Sequence, residues 1–298
     1  MKIYYGLNNH IIDVTNICFT QLLNNNIITI FPSDIIRSKY FTDPTYGYRK
    51  YIYIIKDDTM TAYDSSKIIK IDVTNNDIST LRDDDINDKL KNIHSNLKIV
   101  HGSFDEELPE QKMVVRYLSG DEKVLELGSN IGRNSLIIAS ILGSKNNNNF
   151  VTMETDKNTV KKLYENRDLN DFSFHIEDSA LSKRQLIQKD WDTIVSDVVL
   201  DGYFKVDTIT LEQLYEKYKI DFDTLVLDCE GAIYYILMDM PEILNNIKLI
   251  IMENDFYEIE KKDYVDNILK ENGFYIDYSE TGGWGPCYFN FFEVWVKS

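Results

Sequence analysis

Val124-Leu-Glu-Leu-Gly-Ser-Asn-Ile-Gly132 reads as a short strand, a Gly-x-x-x-Gly turn and the mouth of a helix. Val124 to Leu127 is apolar except for Glu126, and Arg133 to Leu142 continues with apolar residues at helical spacing. A strand that ends in a glycine turn and feeds a helix is the repeating unit of open α/β sheets. Its turn lies at the carboxyl ends of the strands, where such sheets bind ligands. Gly128 and Gly132 allow close approach of backbone to a ligand. A dinucleotide turn would read G-x-G-x-x-G, but Gly128, Asn130 and Arg133 occupy those positions, so two of the three glycines are missing.

Outward from this unit, strand and helix alternate. Pro109 marks a helix start before the quoted strand. After it the pattern predicts strands at 150–154, 172–176, 223–229 and 247–253. Helices are predicted from Asp156, which caps, to Arg167; from Thr210, also a cap, to Lys219; to about Leu244; and over 258–272, stopping at Gly273. Residues 182–209 are irregular, with a hairpin around Trp191 to Val199. Strands separated by helices imply a mainly parallel sheet covered on both faces. The last two strands, 274–278 and 289–296, have no helix between them, so one of them is expected to run antiparallel at the sheet edge. Residues 1–100 differ: short apolar bursts (Ile27–Phe31, Tyr51–Ile55, Ile68–Ile71) are broken by Asn, Asp, Pro and Gly. The reading is a small β-rich or α+β accessory module over 1–100 and an α/β domain over 101–298.

The 298 residues carry 32 Lys plus Arg against 49 Asp plus Glu, a net charge of −17. That balance argues against a protein that grips nucleic acid or anionic membrane. No stretch is apolar for long enough to span a bilayer, and the start lacks a signal peptide's pattern. Cys18, Cys229 and Cys287 are three, widely spaced and without a CxxC pair, so neither a disulfide framework nor a Cys-rich zinc site is expected. A reducing, cytoplasmic setting fits.

Acidic residues close successive strands. Glu126, just before the turn, is unfavourable beside a pyrophosphate and favourable beside the ammonium of an amino acid. That points to S-adenosylmethionine rather than NAD, with Glu126, Gly128, Ser129, Asn130 and Gly132 as its first contacts. Glu154 closes the next strand, where a carboxylate accepts ribose hydroxyls. Asp178 and Ser179 follow the third and are placed at the adenine. The plainer reading of each is a solvated helix cap.

With these residues in place, the chain resembles a class I S-adenosylmethionine-dependent methyltransferase, and more closely the FkbM family, over roughly 105–298. Glu126-Leu-Gly-Ser-Asn-Ile-Gly132, Glu154, Val206-Asp-Thr-Ile-Thr-Leu-Glu-Gln-Leu214, Leu227-Asp-Cys-Glu-Gly231 and Ile251-Met-Glu253 carry the resemblance. It implies a Rossmann-like methyltransferase sheet and O-methyl transfer, often to sugar or polyketide hydroxyls. Val226 and Ile233 depart from it, standing where the family usually has Lys and Glu. The Asn-rich composition and variant blocks are similar to homologues from giant viruses, which would place the chain in a host cytoplasm.

A hydroxyl is a poor nucleophile and benefits from a base or a metal. Asp228 and Glu230, at the end of the fourth strand, are the candidate catalytic acids. Asp228, Glu253 and Asn254 are the candidate Mg²⁺ ligands, similar in strand-end position to the set of catechol-type O-methyltransferases. A metal-free site with Asp228 or Glu230 as base, and carboxylates that merely pair with Arg133 or cap helices, are the alternatives. Arg133 is placed to meet a phosphate or to form an ion pair, His175 reads as a structural strand histidine, and Trp284 and Tyr288 offer flat faces to a sugar. The expected acceptor is a small molecule or glycan, including a nucleotide-sugar. The competing functions are a catalytically silent binding module, prompted by Val226 and Ile233, and a nicotinamide-dependent sugar oxidoreductase, disfavoured by the missing glycines.

Overall fold

A computed structural model describes residues 1–7, 10–24, 26–189 and 192–297. Its central sheet is built from β1 (Val124–Leu127), β2 (Phe150–Met153), β3 (His175–Glu177), β4 (Thr224–Leu227), β5 (Leu249–Glu253), β6 (Phe274–Glu280) and β7 (Phe292–Lys297). The spatial order is β3-β2-β1-β4-β5-β7-β6. Every residue of β1, β2 and β4 is buried, as expected for parallel strands covered on both faces.

The helices are α1 (Leu108–Tyr117), α2 (Arg133–Asn146), α3 (Lys157–Asp168), α4 (Leu211–Tyr218), α5 (Ile233–Asp239) and α6 (Ile259–Glu271). Right-handed crossovers from β1 to β3 put α2 and α3 on one face; the return from β3 through β6 puts α4, α5 and α6 on the other. Strand order therefore reverses between β1 and β4, and the crevice above that reversal is where an open sheet of this Rossmann-like kind takes a ligand. Local signals act as read: Asp156 caps α3 through Asn158 N (3.0 Å) and Thr159 N (2.7 Å), and Thr210 with Gln213 forms a capping box at α4.

The antiparallel strand is not at the edge. β7 pairs antiparallel with both β5 and β6, so β6 forms the edge and runs with the parallel strands. The α6 crossover carries the chain past one strand position, and the short connection after β6 turns β7 back into that gap. The insertion between β3 and β4 forms a three-stranded antiparallel sheet with Leu186–Lys189 between Asp192–Val195 and Phe204–Val206. Trp191, where the hairpin was expected to begin, lies outside the described residues.

The N-terminal segment folds into two four-stranded antiparallel sheets around a core of its own that includes Ile3, Tyr5, Cys18, Phe41, Ile52 and Ile69. The following helix, Asp83–Asn96, sends Ile86 and Leu90 into the main core, as does the strand residue Ile68. Lys70 Nζ and Tyr117 OH both donate to Asp277 Oδ2 on β6, at 2.8 and 2.7 Å, tying that segment to the sheet edge. Among the described residues no helix is long and apolar enough to cross a membrane.

Candidate active site

The glycine turn is shaped by its neighbours in the chain. Gly128 has φ +86°, and a Cβ there would lie 1.6 Å from the Asp228 carbonyl oxygen; at Gly132 (φ +90°) it would lie 2.3 Å from Leu163 Cδ1 on α3. Packing of β1 against the end of β4, and of the turn against α3, demands glycine at both positions. The turn is then held to β2: Gly128 N and Ser129 N both donate to Met153 O at 3.1 Å. Glu154 completes the clamp, accepting from Asn130 N (2.9 Å), Thr155 N (2.7 Å) and Asp156 N (2.9 Å). Burial raises its pKa while those three donors oppose the rise.

Glu126 does not face the crevice. Its side chain points beneath α2, where Oε2 accepts from Ser135 Oγ (2.5 Å) and Thr152 Oγ1 (2.6 Å), and the residue is fully buried. Burial pushes its carboxyl up to about 7, with the two hydroxyls pulling the other way. A carboxyl whose pKa is higher folded than unfolded binds its proton more tightly in the native chain. Its contribution to stability is therefore greatest below the ordinary value near 4.5, is lost as pH rises to about 7, and then stays as a constant penalty on the order of 3 kcal/mol. Glu126→Gln should raise Tm at pH 8 by several degrees and shrink the fall in Tm between about pH 4.5 and 7, followed by circular dichroism; an unchanged slope would mean that Glu126 is not buried as an acid.

Asp178 and Ser179 also part company. Asp178 is exposed and bound to Lys157 Nζ at 2.8 Å, a contact that holds its pKa below the usual range. Ser179 is buried and donates to Glu177 Oε1 at 2.8 Å. His175 lies beside the Tyr218 ring at 5.0 Å, outside the crevice.

Above the β1/β4 reversal lies a cavity of about 430 Å³ lined by Glu107, Pro109, Glu110, Asn130, Asp228, Glu230, Glu253 and Phe292. Five of the eight are carboxylates, and no Lys, Arg or His lines it. Asp228 and Glu230, from the two ends of the Asp-Cys-Glu block, meet there with Glu253 from β5. The structure does not bring Asn254 to them. Asn254 is fully buried, and its amide donates to Asn290 O (2.6 Å) and to Glu293 Oε2 (3.1 Å), which also accepts from Lys262 Nζ at 2.8 Å. Asp255 takes its place, so that Asp228, Glu253 and Asp255 each bring a carboxylate oxygen within 4.8 Å of the others. Side chains alternate along extended chain, so 253 and 255 share a side and 254 does not.

Crowding marks this cluster electrostatically. Burial first, then the neighbouring Glu107 and Glu110 charges, hold Asp228 well above the carboxylate range. Glu253 is raised by burial and by Glu110, and Asp255 by burial and by Glu230. Arg133, the nearby cation, is taken up by Glu107 at the cavity wall (2.6 Å) and by Glu106, which does not line the cavity. Val226 and Ile233 are buried apolar residues in β4 and α5, so no ion pair forms at those positions. Sequence reasoning missed Glu107, Glu110 and Asp255.

At the rim, the connection between β6 and β7 closes over Phe292: a Cβ on Gly282 would lie 2.4 Å from its ring. Trp284 on that connection packs against Tyr257, ring centroids 4.4 Å apart, and both are exposed; Tyr288 turns instead toward Phe289.

No family model matches the sequence, and no curated protein matches it. Among solved structures the chain is similar to a ribosomal protein L11 methylase from Lactobacillus delbrueckii subsp. bulgaricus, at 12% identity and TM-score 0.41 over 67% of this chain and 82% of that one. It is similar to an O-methyltransferase from Bacillus cereus in complex with SAH, at 14% and 0.40 over 72% and 91%. A protein of the NADB-Rossmann superfamily from Streptococcus agalactiae matches at 13% and 0.40 over 67% and 70%. Likeness at this level bears on neither substrate nor chemistry, which rest on the chain's own strands and side chains.

Proposed function

We propose that the chain is an S-adenosylmethionine-dependent methyltransferase of the FkbM type that methylates a hydroxyl of a sugar or glycan. The observation that carries this reading is the cavity at the β1/β4 reversal, lined by five carboxylates and no basic side chain. A pyrophosphate would be repelled there, whereas a ligand bearing a sulfonium and an ammonium is attracted. The reversed β7 seated inside the sheet edge also distinguishes it from the 3-2-1-4-5-6 sheet of dinucleotide enzymes.

When bound, the cofactor supplies a methyl group on a positively charged sulfur. Glu154 offers its carboxylate to the ribose hydroxyls from a position set by three backbone N–H groups. Asp228, deep in the cavity, orients the acceptor hydroxyl, and Glu230, exposed at its mouth, takes the proton as the oxygen–carbon bond forms and the carbon–sulfur bond breaks. Phe292 supplies an apolar wall against water. The exposed Tyr257–Trp284 pair offers flat faces on which a sugar ring can stack.

Calorimetric titration with S-adenosylhomocysteine, S-adenosylmethionine and NAD tests the reading. The adenosyl-sulfur ligands should bind in the micromolar range, about −8 kcal/mol, and NAD should not. Glu154→Ala should weaken adenosylhomocysteine by roughly 10- to 100-fold, the worth of hydrogen bonds to a charged group. Equal binding by that variant, or binding of NAD alone, would overturn the assignment.

A further inference from the structure

We propose that Asp228, Glu253 and Asp255 hold a divalent cation, with Glu110 reaching it from α1. The first three each bring a carboxylate oxygen within 4.8 Å of the others. Oxygens on opposite sides of a cation with bonds of 2.3–2.6 Å stand about 4.6–5.2 Å apart, so the three span a coordination sphere as they stand.

Glu110 is the independent observation. It belongs to another element, α1, and is more than nine-tenths buried. Its Oε2 finds no hydrogen-bond donor among the described residues, although it lines the same cavity. Its close neighbours are other carboxylates, Glu253 foremost. An anionic oxygen enclosed this way needs either a shared proton or a cation. No basic side chain lines the cavity to serve as that cation, and Arg133 is already paired with Glu106 and Glu107. The donors are all hard oxygens, which suit Mg²⁺, Mn²⁺ or Ca²⁺ rather than a softer metal. Four carboxylates favour a cation that sheds most of its water, Mn²⁺ or Ca²⁺, over Mg²⁺, which keeps several. The proposal deepens the transferase reading, because a cation there lowers the pKa of an acceptor hydroxyl bound to it.

The test is titration of MnCl₂ into the EDTA-treated full chain without cofactor, read by calorimetry and by loss of the free Mn²⁺ paramagnetic resonance signal, with CaCl₂ and MgCl₂ in parallel. One Mn²⁺ per chain should bind with half-saturation below ~10⁻⁴ M. Glu253→Gln and Asp255→Asn should each weaken it at least ~10-fold. Both are isosteric and relieve repulsion, so their Tm in EDTA should not fall; Glu110→Gln, on a separate element, carries the test if either fails to fold. Sub-stoichiometric binding, or unchanged affinity in all the folded variants, would show that these carboxylates share protons only and would overturn the proposal. Titrating the adenosyl ligands in EDTA keeps the two readings apart. A chain that binds Mn²⁺ here but neither adenosyl ligand retains the cation site and loses the transferase, and the reverse result does the opposite.

Discussion

Gly128→Ala should leave little folded protein. The added methyl would lie 1.6 Å from the Asp228 carbonyl oxygen, which belongs to backbone and cannot swing aside as a side chain can. Asp228 N is itself bonded to Leu127 O at 3.0 Å, so the two chains cannot separate there without breaking the start of the β1–β4 crevice. A left-handed conformation at φ +86° adds about 1–2 kcal/mol for any residue with a Cβ. Together these exceed about 4 kcal/mol, a large part of a typical stability of about 5–15 kcal/mol. The expected result in a thermal melt is insoluble protein or a Tm more than ~10 °C lower. Gly143→Ala is the control: φ is +64° but nothing lies within 4 Å of its added Cβ, so only the conformational cost applies and Tm should fall by a few degrees. A Gly128→Ala protein that melts like wild type would mean that β1 and β4 do not touch at this point.

Asp228→Asn should separate activity from stability. Asp228 faces Glu107, Glu110, Asp255 and Glu230 without a basic partner in the cavity. The amide keeps the shape and removes one of several crowded charges, so Tm should stay level or rise. Turnover with a methyl acceptor should fall by roughly 100-fold, the cost of an acceptor hydroxyl no longer held in line for attack. Full turnover would remove Asp228 from the chemistry, and a lower Tm with normal turnover would make it a structural residue.

Much of this arrangement is legible in the sequence because it is local. Asp156 caps α3 and Thr210 boxes with Gln213 because each bonds backbone two or three residues away. Pro109 stands in the first turn of α1, and Gly273 follows α6 at φ +83°. Asp228 and Glu253 reach one cavity because parallel strands deliver their last residues to one end of the sheet. The substitution of Asp255 for Asn254 was within reach too, since period-2 alternation sets 253 and 255 on one side. Glu107 and Glu110 gave no such sign. They precede β1 in the chain, and only the packing of α1 against β5 and β7 carries them over the crevice.

By itself, then, the sequence determined the alternation of strands and helices, the caps, the glycine turn and the strand ends at which acids gather. Each depends on backbone preferences and side-chain periodicity within a few residues. Tertiary structure alone decided which way those acids point and what they meet. Ser135 on α2 and Thr152 on β2 enclose Glu126 and turn it from a ligand contact into a buried acid. The hydrogen-bonded Glu293 draws Asn254 out of the site. The place of β7 inside the edge follows from the gap left by α6. In each case the outcome rests on contacts between residues far apart in the chain, and period or propensity encodes no such contact.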